Sequence, residues 1–196
     1  MMMKQALILG CSHASGNELS GAGINDDFGL QNSYPALLAK LLGYEPANFA
    51  ITGGSNDAMF RIGIDKYQQH DIVIACWTGA DRGEVYDAGR WQPMSAGGMT
   101  ITAEQYRQQW LLHQCDEAGR LNKIKNILAL NAVCQVVNID SFWPVQFEWP
   151  ANVHWPVTDN FWDWCCGRNY QRTAFGHFEP AAHKDFADHV AGNVNL

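Results

Sequence analysis

The chain has 196 residues, of which 47% are hydrophobic and 17% charged, and its formal net charge at pH 7 is -7. A chain of this length buries a sizeable core as one domain, and its composition is that of a globular protein rather than a disordered one. Because the charge is acidic and no dense run of Lys and Arg occurs, a nucleic-acid-binding protein is excluded. We therefore expect a single domain over residues 1–196 with no nucleic acid partner.

No segment of the sequence has the pattern of a membrane-directed element. The apolar run that follows residues 1–5 is too short for a signal peptide, and no run of about 18 apolar residues is present to span a membrane. The six cysteines form no Cys-x-x-Cys pair, which is typical of reduced thiols. We expect synthesis in the cytosol, no membrane partner and no disulfide.

The first predicted element is a buried strand, which ends at a glycine followed by a serine. The apolar run from Ala6 to Leu9 is typical of a parallel sheet, and Ser12 comes two residues after Gly10. Ligand-binding groups in open α/β sheets lie just beyond the carboxyl ends of the strands, so Ser12 has the position of a nucleophile or a ligand-binding hydroxyl. The alternative is a serine that only turns the chain. Residues 11–33 predict a long loop.

The remaining elements alternate between helix and strand. In the first half of the chain the patterns predict a helix over 33–43, a strand over 48–51, a helix over 57–69 and a strand over 71–77. A loop over 78–101 follows, and then a long helix that begins with a capping box at 102–105 and is interrupted near 119. The last predicted elements are a strand over 133–139, an irregular segment over 141–175 and a helix over 180–192. Such alternation predicts right-handed βαβ units. We expect a flavodoxin-like three-layer α/β/α domain with a parallel sheet of four to five strands.

The irregular segment holds five of the eight tryptophans. Aromatic rings in such a segment either stack on sugar rings and acyl groups or form a satellite core under a long loop. We favour the satellite core, with two of the five facing a pocket.

Polar and glycine residues follow three of the predicted strands and precede the last helix. They are Ser12, the turn 53–56, the segment 78–81, and His177. A parallel sheet would gather all four at one edge. A serine hydroxyl, an imidazole and the backbone amides of a glycine turn are the groups that acyl transfer requires.

The order of these segments resembles the SGNH (GDSL-type) hydrolase family. The sequence GCSHASG at 10–16 is similar to the first block of that family, Gly-Asp-Ser-x-Thr/Ala-x-Gly; NFAITG at 48–53 is similar to the second, Asn-x-Gly-x-Ser-Gly; and the segment 176–187 is similar to the last. The resemblance covers about residues 5 to 190. It implies a serine esterase, such as a carbohydrate O-deacetylase, that needs no cofactor and acts on a small-molecule or carbohydrate ester. The pattern is also similar to SGNH-like proteins of bacteria and their phages.

The resemblance assigns roles to particular residues of this chain. Ser12 is the implied nucleophile and His177 the implied base, with Ser12 and Gly53 as oxyanion donors. Three positions depart from the family pattern. Cys11 replaces the aspartate of the first block, the third block lacks its asparagine, and Ala174 stands where the family has the acid of its triad.

Other residues are candidates for the two missing functions. Thr78 and Asn56 are candidate oxyanion donors, the alternatives being a turn former and a helix N-cap. Asp163 or Asp159 is a candidate to orient His177, the alternatives being a solvated loop carboxylate and a Ser–His dyad oriented by a backbone carbonyl. If neither function is replaced, the chain is a catalytically degenerate binding or structural module on an SGNH scaffold.

Two further classes are disfavoured. A nucleotide-binding domain of this architecture would carry GxGxxG or GxxxxGK[ST], and neither motif is present. The seven histidines show no metal-ligand spacing, so no metal site is expected.

Overall fold

The computed structural model describes residues 3–21, 26–87, 89–95, 116–141, 152–174 and 176–195. The strands in these ranges are β1 (Gln5–Leu9), β2 (Glu45–Asn48), β3 (Ile72–Trp77), β4 (Arg82–Asp87), β5 (Arg90–Ser95) and β6 (Val136–Asp140). The helices are α1 (Ser12–Ser15), α2 (Asp27–Asn32), α3 (Tyr34–Leu41), α4 (Asn56–Lys66), α5 (Asp116–Asn131), α6 (Phe161–Gly167) and α7 (Pro180–Ala191), with a 3-10 turn over Tyr67–Gln69.

Four strands form a parallel sheet in the order β2-β1-β3-β6. Leu9 at the end of β1 pairs with Ala75 in β3, and Trp77 at the end of β3 pairs with Asp140 at the end of β6. The carboxyl ends of these strands therefore meet at one edge. Every residue of β3 is buried, as expected for a central parallel strand covered on both faces.

Helices cover both faces of the sheet, and this confirms the predicted three-layer α/β/α fold. Side chains of β1 alternate between the two layers because successive residues of a strand point to opposite faces. Ile8 belongs to a core with Leu38 of α3 and Phe186 of α7. Leu9 belongs to a second core, which Met59 of α4 and Ile127 of α5 share.

Three segments predicted to be irregular contain regular structure. The predicted loop over 11–33 contains α1 and α2, and the segment 141–175 contains α6. Both α2 and α6 begin at side-chain caps, since Asp26 accepts a hydrogen bond from the Gly29 amide and Asn160 from the Asp163 amide. Short helices with caps of this kind carry too few turns for an apolar period to show in the sequence.

The predicted loop over 78–101 contains the antiparallel hairpin β4–β5. Its strands lie outside the main sheet, and the Glu84 carboxylate accepts two hydrogen bonds from Arg61 of α4, at 2.9 and 2.8 Å. The hairpin is fixed by this ion pair to a helix that is distant in sequence, which a strand pattern alone does not reveal.

The predicted strand over 48–51 was placed three residues late, since β2 runs from Glu45 to Asn48. Pro46 hides the strand in the sequence, but proline is tolerated here because β2 is the edge strand. The chain continues beside β1 after β2 ends: the Ile51 amide donates to the Gly10 carbonyl at 3.0 Å.

The helix bounds, the tryptophans and the cysteines can also be compared with the sequence predictions. Helices α3 and α7 match their predicted bounds within two residues, and α5 runs without interruption through Gly119. The capping box at 102–105 lies outside the described residues, as do Trp143 and Trp149. Trp164 is buried in the first core, whereas Trp155 packs against the second. The five cysteines in the described ranges are free thiols. None of the helices described is long and apolar enough to cross a membrane.

Candidate active site

The turn between β1 and α1 places Ser12 at the carboxyl edge of the sheet. Ser12 is the first residue of α1 and is 9% exposed. The turn requires glycine at position 10, because a Cβ there would lie 2.3 Å from Cβ of Ala14 and 3.0 Å from Cβ of Cys76. At the first position of a helix the backbone amide has no partner one turn earlier, and among the described residues the Ser12 amide donates no backbone hydrogen bond.

The chain reverses direction immediately after α1. Gly16 has φ 70° and Glu18 has φ 66°, both in the left-handed region. A Cβ on Gly16 would lie 2.3 Å from the Gly29 carbonyl oxygen, so the reversal packs tightly on α2. Asn17 anchors it to the second turn: its Nδ2 donates to Thr52 Oγ1 at 2.8 Å. These contacts fix the backbone around Glu18 and therefore the position of its side chain.

Glu18 meets His177, which lies 159 residues away in sequence. His177 Nδ1 lies 2.7 Å from Glu18 Oε2, and the Thr173 hydroxyl donates to the same carboxylate oxygen. The His177 side chain is 17% exposed and that of Glu18 is 13% exposed. Burial raises the pKa of Glu18, but hydrogen bonds from Thr173 and His177 outweigh it, so the pKa lies below its ordinary value. An ionised carboxylate only accepts, so Nδ1 carries the proton and Nε2 is left as the basic nitrogen.

A tight turn presents His177. The Thr173 amide donates to the His177 carbonyl at 2.7 Å, the His177 amide donates to Thr173 Oγ1 at 3.1 Å, and Gly176 between them has φ 93°. Thr173 therefore holds both the backbone of His177 and the carboxylate that faces its ring.

His13 lies between the nucleophile candidate and the base candidate. It follows Ser12 directly in α1, and its ring centroid lies 5.0 Å from that of His177. Burial lowers the pKa of His13 well below its ordinary value, and the charges of His177, His183 and Arg82 lower it further, so the ring is neutral. Within the residues described, no hydrogen bond joins the Ser12 hydroxyl to the His177 ring. Catalytic hydrogen bonds often tighten only when substrate is bound.

The second turn brings a backbone amide to the same edge. Gly53 has φ 72°, and the Gly54 amide closes the turn by donating to the Ile51 carbonyl at 2.7 Å. A Cβ on Gly54 would lie 2.7 Å from that carbonyl oxygen and 3.1 Å from the Gly10 carbonyl oxygen, which places the turn against the end of β1. In the described part of the chain the Gly53 amide donates no hydrogen bond. It is available to an oxyanion.

Asn56 is fully engaged with the end of β3. Its Oδ1 accepts from the Thr78 amide at 2.9 Å, and its Nδ2 donates to the carbonyls of Thr78 and Gly79 at 3.2 and 3.3 Å. The N-cap of α4 is Ser55 instead. Both amide hydrogens of Asn56 are used, so it has none for a substrate, whereas the buried Thr78 hydroxyl has no partner in the ranges described.

Neither aspartate proposed to orient His177 is bonded to it. The Asp163 carboxylate accepts from Asn160 Nδ2 at 2.8 Å, at the start of α6. Asp159 Oδ2 lies 3.7 Å from His189 Nε2. The carboxylate at His177 is that of Glu18, which the sequence reasoning missed. Glu18 is the single acidic residue between Gly10 and Gly21, and that fact is the signal that was available.

The other histidine near the site has a structural contact. His183 Nδ1 accepts a hydrogen bond from the Tyr34 amide at 3.0 Å and so caps the start of α3. Across the ranges that the structure covers, no group of three or more His, Cys, Asp or Glu side chains is arranged to hold a metal ion.

No protein-family model and no curated protein sequence matches the chain. Solved structures resemble it at low identity. The lipase/acylhydrolase from Enterococcus faecalis is 14% identical with a TM-score of 0.53, over 96% of this chain and 94% of that one. A carbohydrate esterase family 2 enzyme with a carbohydrate binding domain, from Corynascus thermopiles (Myceliophthora fergusii), is 15% identical with a TM-score of 0.48, over 97% of this chain.

This chain spans only 66% of the length of the Corynascus protein. A carbohydrate acetylesterase family member from Sinorhizobium meliloti is 12% identical with a TM-score of 0.43, over 97% of this chain and all of that one. At these identities the likeness concerns the fold. The fold that the chain shares with the Enterococcus protein is a parallel four-stranded sheet flanked by helices.

Proposed function

We propose that the protein hydrolyses ester bonds, with Ser12 as the nucleophile and His177 as the general base. The observation that carries this proposal is the placement of His177 against the segment that holds Ser12. The His177 ring packs on His13 at 5.0 Å and its Nδ1 lies 2.7 Å from Glu18. A serine and an oriented imidazole at the carboxyl edge of a parallel sheet are the groups of a serine hydrolase.

The reaction proceeds in two halves. The Ser12 hydroxyl attacks the acyl carbon while His177 Nε2 accepts its proton, and the tetrahedral intermediate collapses as the imidazolium protonates the departing alcohol. Water then attacks the acyl group on Ser12 Oγ while His177 Nε2 accepts its proton, and the second intermediate collapses as the imidazolium returns that proton to Ser12 Oγ and the acid is released. The negative oxygen of each intermediate is held by the backbone amides of Ser12 and Gly53.

The third oxyanion donor is assigned to Thr78. Its hydroxyl is buried at the end of β3 and has no hydrogen-bond partner in the described ranges. Asn56 acts on the backbone of Thr78, whose amide and carbonyl it binds at 2.9 and 3.2 Å. Asn56 thus positions the donor and does not itself contact the substrate.

The proposed substrates are small-molecule or carbohydrate esters. The centroid of the Trp162 ring lies 5.6 Å from that of the His13 ring. The Arg172 guanidinium lies 4.5 Å from the Trp162 centroid. Trp162 is a half-buried indole at the border of the site, and the proposed role of such a ring is to pack against the alcohol part of an ester, such as a sugar ring.

Hydrolysis of p-nitrophenyl acetate and glucose pentaacetate by the unmodified protein and by Ser12→Ala tests this function. We expect saturable turnover by the unmodified protein and a rate lower by about 10⁴ or more for Ser12→Ala, because no other hydroxyl replaces the nucleophile and only the oxyanion amides remain. Equal turnover by the two folded proteins would remove Ser12 from the mechanism.

A second candidate function, a binding module on the same scaffold, is favoured by two observations. Ala174 occupies the position of the acid in the family pattern, and no hydrogen bond of the described residues joins Ser12 to His177. A folded protein that hydrolyses neither ester above the Ser12→Ala background supports this candidate against the enzyme.

A further inference from the structure

We infer that Glu18 is the acid of this site: it is a positioning residue that holds His177 towards Ser12 from the nucleophile's own segment. This inference rests on the proposed ester hydrolysis. Glu18 takes the place of the acid that the family pattern has three residues before the histidine, where this chain has Ala174. The order of groups along the chain becomes serine, glutamate, histidine.

The first support is the contact itself. Glu18 Oε2 lies 2.7 Å from His177 Nδ1 and also accepts the Thr173 hydroxyl. Thr173 in turn binds the His177 amide at 3.1 Å. The carboxylate is therefore aligned by two donors, one of which also fixes the backbone of the histidine. A carboxylate at Nδ1 directs Nε2 to the substrate side and stabilises the imidazolium that forms during attack.

The second support is the backbone of Glu18. A φ of 66° at a residue with a β-carbon is unfavourable, and such conformations persist only where the surroundings hold them. Here the Asn17 amide donates to the Ser12 carbonyl at 3.1 Å, and the Asn17 side chain binds Thr52. Asn17, the residue before Glu18, therefore anchors the strained backbone to α1 and to the second turn.

The arrangement has a mechanical consequence. The nucleophile and the acid belong to one continuous segment, residues 12–18, with α1 as its rigid part. The base, His177, lies near the other end of the chain, and its contact with Glu18 sets its position relative to Ser12. The orientation of the His177 ring then depends on this short segment as well as on the turn at Thr173.

Glu18→Gln tests the inference, with Glu179→Gln as the matched control. Glutamine keeps the size of the side chain but removes the charge and allows the wrong histidine tautomer. We expect kcat for p-nitrophenyl acetate to fall by about 10³ to 10⁴, with KM changed less than about twofold. In the part of the chain that the structure describes, the Glu179 carboxylate accepts a hydrogen bond from the Gln171 amide, at 3.4 Å, and forms no hydrogen bond with His177, so its replacement should leave kcat within about twofold.

A second readout does not depend on turnover. Nitrogen-15 NMR of the His177 ring at neutral pH should show protonated Nδ1 in the unmodified protein and a mixture of tautomers in Glu18→Gln. A purely structural role for Glu18 would lower the melting temperature and leave the tautomer and kcat of the folded fraction unchanged, and this would overturn the inference. A kcat loss confined to Asp163→Asn would also overturn it. Inactivity of the unmodified protein would instead count against the proposed function itself.

Discussion

Replacing His177 with alanine is expected to lower kcat for ester hydrolysis by about 10⁴ or more, because a hydroxyl of ordinary acidity needs a base within reach to attack. The residual rate should exceed the rate in water, since the amides of Ser12 and Gly53 still hold the oxyanion. Stopped-flow and steady-state assays with p-nitrophenyl acetate measure both quantities.

A matched histidine variant controls for nonspecific effects. His70 hydrogen-bonds the Lys66 carbonyl at 2.9 Å beyond the end of α4, at the opposite edge of the sheet, so His70→Ala should retain full activity. A His177→Ala protein that is folded and keeps more than about a tenth of the activity would exclude His177 as the base.

The second large effect concerns acid stability. Burial lowers the pKa of His183 to about 3, and the charge of His177 adds to the shift; burial likewise lowers the pKa of His13. Both rings are neutral in the folded protein, whereas in the unfolded chain they take up protons below an ordinary value of 6.5. The unfolded state therefore binds more protons as the pH falls from 6.5 towards 3, and stability is lost in that window.

His183 should cost about 3 kcal/mol between pH 7 and pH 4, at about 1.4 kcal/mol per pH unit, and His13 adds to the loss. The loss at His183 alone is a large fraction of the stability of a typical domain. Urea unfolding at pH 7, 6, 5 and 4 measures the slope. In His183→Asn, which keeps an acceptor for the Tyr34 amide, we expect lower stability at pH 7 and a smaller slope. A free energy of unfolding that does not change from pH 7 to pH 4 would contradict buried neutral histidines.

The strand–helix alternation was readable from the sequence because each central element has a simple pattern. The six buried residues of β3 and the buried apolar faces of α3 and α7 depend on local composition, which periodicity detects. The β4–β5 hairpin and α6 depend instead on Arg61 meeting Glu84 and on Asn160 capping a helix of two turns. Neither a contact between distant residues nor a helix of two turns leaves a periodic trace in the sequence.

The candidate site likewise contains residues that a sequence pattern marks and one that no pattern marks. Motifs of the sequence propose Ser12, Gly53 and His177 as site residues, whereas no motif contains Glu18. Its role depends on a left-handed backbone at a residue that is not glycine and on a partner 159 residues away. Asp163 is a candidate from the sequence because it lies in the aromatic segment, but its carboxylate accepts a hydrogen bond from Asn160 at the start of its own helix.

The most direct test of the serine hydrolase proposal is labelling with a fluorophosphonate, followed by mass spectrometry of the tryptic peptides. The phosphonyl group should attach to Ser12 Oγ in the unmodified protein, disappear in Ser12→Ala, and form at a strongly reduced rate in His177→Ala and Glu18→Gln. Folded protein that remains unlabelled from about pH 6 to pH 9, or that carries the label on another residue, would contradict the assignment of Ser12 as the nucleophile.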